Sequence, residues 1–194
     1  MSTRARLVAP ALIVIAMVTA LFALALAALA LAATTIQDAN DTAGPIDIKS
    51  ASATKKSDGR LKHTVVFFED VPAKGETGNE YLELWTKKPY ALKGAPAGSF
   101  KEAPYKIQGP QTGKRDVFTG GEAGTPYHKT GTATVSRKGN KLTFVFSKKA
   151  IGNPSSTYYW HVVTNFYGSN KQCPKFEDCT DHAPDDSNTV KQGL

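Results

Sequence analysis

Cysteine, methionine and tryptophan are scarce, with two of each among 194 residues. Cys173 and Cys179 stand six apart near the C-terminus. A zinc centre needs about four ligands at defined spacings, so the pair is expected to close a short disulfide loop in an oxidising compartment. Such a loop ties the tail locally and adds only modestly to the stability of the whole. Helical periodicity is missing after residue 33. Catalytic signatures are missing too. Gly98-Ser99-Phe100 lacks the strand–turn–helix setting of a nucleophile elbow, and neither a His-Glu-x-x-His pair nor a phosphate-cradling glycine loop occurs. Binding is therefore expected rather than catalysis. A hydrolase with two carboxylates far apart in sequence is the third-ranked reading. Dense basic runs and nucleic-acid recognition motifs are also lacking, so nucleic acid is not the expected partner.

Charge is absent from one long stretch: 26 apolar or small residues, Leu7 to Ala32, follow Arg4 and Arg6. The basic start, the apolar run and Ala30-Leu31-Ala32 before Ala33 match a secretory signal peptide. The run is also long enough for a retained N-terminal anchor helix, since about 20 residues span a bilayer. Both readings place residues 34–194 outside the cytoplasm, secreted or tethered, with membrane contact only through residues 7–32. Without residues 1–33 the formal charge falls from +7 to +5. The excess is mild and scattered, suited to work near anionic polymers.

The organisation expected is a signal or anchor over 1–33, a polar tether over 34–44, a β domain over 45–172 and a disulfide-tied acidic tail over 173–194. Period-two alternation begins at Ile46-Asp47-Ile48-Lys49-Ser50 and returns in Leu61–Phe68, Tyr81–Thr86, Tyr105–Ile107, Arg115–Thr119, Thr132–Ser136, Leu142–Phe146 and Tyr158–Tyr167. Gly139-Asn140 supplies the positive φ of a tight hairpin turn. Leu142, Phe144 and Phe146 share one face, and Tyr158, Trp160, Val162 and Phe166 another. Seven or eight short strands predict an all-β, antiparallel β-sandwich, immunoglobulin-like or jelly-roll-like; a closed barrel is the alternative.

Three constellations are candidates for function. The C-terminal run packs Glu177, Asp178, Asp181, Asp185 and Asp186 into ten residues beside His182. Carboxylates suit calcium, with Asp181, Asp185 and Asp186 as ligands and Asp38, Asp41 and Asp47 joining if the N-terminal strand lies beside the tail; otherwise the tail is simply acidic and solvated. Secondly, Tyr81 and Trp85 share a face of one strand, as Tyr159 and His161 do on another. They either offer rings for sugar stacking or are buried under a loop. Thirdly, Lys87–Lys114 is long, rich in proline and basic, with Glu102 as its one acid before Lys114. It is either an ordinary loop or a grip for an anionic wall polymer, with Lys87 and Lys88 next to the aromatic strand. His63, His128, His161 and His182 are too dispersed to predict a metal centre and are expected as packed residues.

The segment Asp41-Thr42-Ala43-Gly44-Pro45-Ile46-Asp47-Ile48-Lys49-Ser50, the Trp160 strand and the ending Cys173-Pro174…Cys179-Thr180-Asp181-His182-Ala183-Pro184-Asp185 resemble a group of uncharacterised secreted bacterial proteins. The resemblance implies an immunoglobulin-like or jelly-roll-type sandwich, loosely similar to carbohydrate-binding modules. It brings no activity or functional residues. The function expected is thus an exported module that binds a carbohydrate or cell-wall polymer. Tyr81, Trp85, Lys87 and Lys88 would meet the ligand, and calcium would sit at the tail. The alternative is a structural domain that docks an envelope protein through an edge strand.

Overall fold

The computed structural model describes residues 33–42, 44–71, 78–96, 98–109, 111–120, 126–166, 179–185 and 188–194. The hydrophobic segment Leu7–Ala32, Cys173 and Asp186 lie outside them. Among the described residues no helix is long and apolar enough to cross a membrane.

Alternating side chains set the strands. In β3, Leu61–Phe67, residues 61, 63, 65 and 67 are buried while those between are not. In β8, Lys141–Phe146, the same holds for Leu142, Phe144 and Phe146. The other strands are β1 (Thr34–Gln37), β2 (Ile48–Lys55), β4 (Gly78–Trp85), β5 (Tyr105–Gly109), β6 (Gly113–Thr119), β7 (His128–Lys138), β9 (Thr157–Phe166), β10 (Thr180–Ala183) and β11 (Val190–Gly193). A 3-10 turn, Lys148–Ile151, precedes β9. The β7–β8 hairpin turns at Gly139-Asn140 as expected, but only Gly139 takes a positive φ, 55°. Asn140 instead extends the sheet: its side-chain amide donates to the Phe67 carbonyl at 2.8 Å, and its own carbonyl accepts from the Phe67 N–H at 2.9 Å.

All ladders are antiparallel and form one continuous sheet in the order β1-β2-β3-β8-β7-β6-β5-β4-β9-β10, with β11 also on β9. The fold is all-β and antiparallel, as the alternation predicts. It does not divide into two separate ladders of the immunoglobulin or jelly-roll kind, because β3–β8 and β4–β9 pairing carries the hydrogen bonds around a nearly closed barrel. Its two ends meet where β10 lies against β2. There the Asp181 carboxylate accepts from the Ile48 N–H at 2.5 Å, and the Thr164 hydroxyl donates to the Ile46 carbonyl at 3.0 Å. β1 pairs with residues 50–53 of β2, which leaves the Ile48 N–H to Asp181 of β10, while on the other side Ile48 stays paired to Phe67 of β3 before a register shift at Ser50.

The barrel interior holds Phe67, Leu82, Leu84, Ile107, Phe144 and Trp160, all fully buried. Among the described residues eleven strands stand in place of the seven or eight expected, because stretches expected as tether and tail also join the sheet. β1 lies within residues 34–44, and β10 and β11 within 173–194. These are four-residue strands of mostly polar sequence, and their pairing to β2 and β9 rather than their own propensity creates them.

Candidate functional site

On β4, Leu82 and Leu84 face the interior, so Glu83 and Trp85 face outward; both are nonetheless buried, at 7% and 4% exposure. The cover is the segment 86–104, which folds into a strap with its own small hairpin. Ala91 bridges Phe100, the Leu92 N–H donates to the Ser99 carbonyl at 2.9 Å, and the Lys101 N–H donates to the Tyr90 carbonyl at 2.9 Å. Glu102 fastens the strap at both ends: its carbonyl accepts from the Trp85 indole at 2.8 Å and its carboxylate from the Tyr90 N–H at 2.8 Å. Phe100 then packs edge-on against Trp85, 4.8 Å between ring centres, and against His161 at 5.6 Å.

Beneath the strap a polar row crosses four neighbouring strands. Lys106 on β5 pairs in register with Glu83 on β4, and Glu83 with His161 on β9. The Lys106 Nζ lies 3.3 Å from Glu83 Oε1, and His161 Nδ1 lies 3.5 Å from Glu83 Oε2. His182 on β10 completes the row, its ring stacked on His161 at 5.2 Å and 22°. Neither nitrogen of the fully buried His161 makes a hydrogen bond, nor does His182 Nδ1. Burial, and then the neighbouring His161, push the His182 imidazole down to about 4, so it is neutral at neutral pH.

Between strap and row opens a cleft of about 310 Å³ lined by Glu83, Trp85, Leu92, Gly98, Phe100 and Lys106, among others. This is at the small end of ligand sites. Gly98 closes it over the imidazoles. A Cβ there would stand 2.6 Å from His182 Cε1, and the backbone has φ of 73°. Gly98→Ala is expected to cost about 1–3 kcal/mol and to loosen the strap. Trypsin should then cut more readily after Lys93 or Lys101, both exposed; an unchanged digestion rate would show that the strap does not rest on this contact.

The expected ligand residues are thus placed apart. Trp85 lines the cleft, but as a covered wall and not on an open stacking face, because the strap occupies that face. Tyr81 is half-buried, with the Lys106 Nζ 6.0 Å from its ring centre, and stands outside the cleft lining, as do the exposed Lys87 and Lys88. Glu83, Gly98 and the Lys106–Glu83–His161–His182 row were not anticipated as a site. The available signal was parity: Glu83 shares the outward face with Trp85, and His161 faces outward opposite Trp160.

The acidic residues do converge. Carboxylate oxygens of Asp38, Asp181 and Asp185 lie within 4.8 Å of one another at the barrel seam, as expected if the N-terminal strand lies beside the tail. Burial first, then the Asp181 and Asp185 charges, pushes Asp38 up to about 8, and burial pushes Asp181 up to about 7. Asp47, 3% exposed, is raised to about 6 by burial and then by Asp41. Asp186 lies outside the described residues. Cys179 is buried and no free cysteine stands among the described residues, while its expected partner Cys173 lies outside them. Compared with known protein families, curated proteins and solved structures, the chain matches none.

Proposed function

We propose that this is an exported binding module that takes a saccharide unit of an extracytoplasmic polymer into the strapped cleft. The observation that carries the reading is the Lys106–Glu83 pair exposed to a cleft with aromatic walls. A buried carboxylate accepts from sugar hydroxyls and an ammonium donates to them, while Trp85 and Phe100 supply apolar wall beside the ring. The cleft volume fits a single ring and not a long chain laid flat, so the polymer would be held by one unit or one end. Lys87, Lys88, Lys93 and Lys101, exposed on and beside the strap, favour an anionic polymer through faster encounter rather than through tight contact. The apolar N-terminal run supports export, and a Cys173–Cys179 bridge belongs to the same reading.

Titration with monosaccharides and wall-polysaccharide fragments, followed by tryptophan fluorescence, tests the proposal. A saturable change is expected that disappears in Trp85→Phe while Trp160 emission persists. Glu83→Gln is expected to weaken binding by roughly 10- to 100-fold, the worth of a hydrogen bond to a charged group, measured well below the thermal midpoint, which falls as the buried Lys106 pair is lost. The proposal fails if no saccharide perturbs the fluorescence, or if Glu83→Gln binds as wild type does.

A further inference from the structure

The seam of the barrel carries a second feature, distant in chemistry from the cleft. Asp38 follows β1, Asp181 lies on β10 and Asp185 follows it, so residues more than 140 positions apart in sequence place their carboxylates together. Like charges converge at a cost unless something positive lies between them. Among the described residues no lysine, arginine or histidine is ion-paired to any of the three. The charges that act most on Asp38 are those of Asp181, Asp185 and Asp41, all negative.

Two further oxygens point to a missing partner. Asp47 is 3% exposed and its Oδ1 makes no hydrogen bond, although the backbone at Asp41 and Thr42 serves the rest of its carboxylate; it stands one residue before the Ile48 N–H that Asp181 accepts from. Asp38 Oδ2 is buried and equally without a partner. A buried carboxylate oxygen without a donor loses water and gains nothing in return. Asp181 is different: its Oδ2 is held by the Ile48 N–H and its Oδ1 by the His182 N–H at 2.7 Å, which fixes the carboxylate in place.

We propose that Asp38, Asp181 and Asp185 bind a divalent cation, calcium, which fastens the two ends of the sheet to each other. The donor set is oxygen alone, which suits a hard cation and not zinc or copper. The three oxygens lie within 4.8 Å of one another, and an ion with oxygen distances of about 2.4 Å, as calcium has, can reach donors that far apart on opposite sides. Magnesium demands near-ideal octahedral geometry and keeps several of its waters, so a set of three protein carboxylates suits calcium better. Backbone carbonyls and waters would complete a shell of six to eight oxygens. The seam has side-chain hydrogen bonds where the rest of the barrel has ladders, so a cation here supplies the cross-link that pairing does not.

The test is calcium titration of the metal-free full-length chain by calorimetry, with thermal unfolding in calcium, in magnesium and in EDTA. One site per chain is expected, and a rise in thermal midpoint of roughly 5–10 °C at about 100 times the dissociation constant, reversed by EDTA. Asp181→Asn weakens the seam by itself, so the decisive variant is Asp38→Asn with Asp185→Asn. Asp185 is exposed and Asp38 is half-buried, so this variant should fold and lose both the heat and the shift. No heat and no shift at millimolar calcium would overturn the site. So would an equal shift in the double variant, and an equal response to magnesium would overturn the assignment to calcium.

Discussion

Replacing Trp160 by alanine is expected to destabilise the fold by about 4 kcal/mol, a fall of roughly 8–16 °C in thermal midpoint. Trp160 is fully buried on β9, opposite Leu84 of β4 and Val190 of β11, with its ring 5.2 Å from that of His63. Neighbouring strands are locked by their ladders, so the walls cannot move in to fill the void. The indole N–H has no hydrogen-bond partner, and leaving it so is itself unfavourable. Trp160→Phe, which removes that N–H and fills part of the space, should therefore cost less than half as much as the alanine variant.

Trp85 offers the contrast. It is nearly as buried, but its cover is the strap and not a strand, held by the Glu102 carbonyl and Phe100. Water can enter when the ring is removed, so Trp85→Ala should cost only about 2 kcal/mol and should expose residues 86–104 to protease. Urea unfolding of the variants reads both effects. Equal losses at the two positions would mean that the strap is as rigid as the barrel wall, and the cleft would then be a fixed cavity rather than one under a loose cover.

The second large effect is in acid. His63 is fully buried on β3, hydrogen-bonded through Nε2 to the Tyr158 hydroxyl at 2.8 Å and stacked on Phe146. Burial pushes its imidazole down to about 3. The unfolded chain takes up this proton near pH 6.5, the folded chain only near 3. The contribution of His63 is therefore complete above about pH 6.5 and is lost as pH falls toward 3, reaching about 3 kcal/mol of loss at pH 4.5. Asp38, Asp47 and Asp181 act with the opposite sign, because carboxyls raised in the folded state favour folding below their folded values. A raw pH profile sums the two. The useful measurement is the difference between wild type and His63→Phe by urea unfolding. The variant should gain about 3 kcal/mol on wild type between pH 7.5 and 4.5; parallel profiles would show that His63 is not held neutral in the core.

Alternation in β3, β8 and β9 is the part of the fold that the residues announce. Phe144 and Phe146 face one way, Tyr158, Trp160 and Val162 face one way, and each set is buried as its parity requires. An apolar side chain at every second position has only one low-energy solution, a strand with one face covered. β1, β10 and β11 carry no such pattern. A four-residue strand gains its stability from the partner that completes its hydrogen bonds, and no local sequence names that partner. Closure is decided the same way: whether the eleven strands form two sheets or one curled sheet depends on β3 finding β8 and β4 finding β9, pairings 74 to 88 residues apart in the chain.

The candidate sites divide along the same line. Acidity at both ends of the chain is visible in Asp38, Asp41, Asp47, Asp181 and Asp185. Their convergence is not, because it exists only once β10 meets β2. Trp85 beside Leu84 is readable as an outward ring, but its burial depends on the strap folding back through Glu102. Lys106, Glu83, His161 and His182 look unrelated in sequence and become a row through the register of four strands. The residues by themselves determined the β class and the buried faces, because these follow from local polarity and spacing. The tertiary structure alone decided which polar groups became neighbours, because electrostatics and hydrogen bonding act over a few ångströms in space and not along the chain.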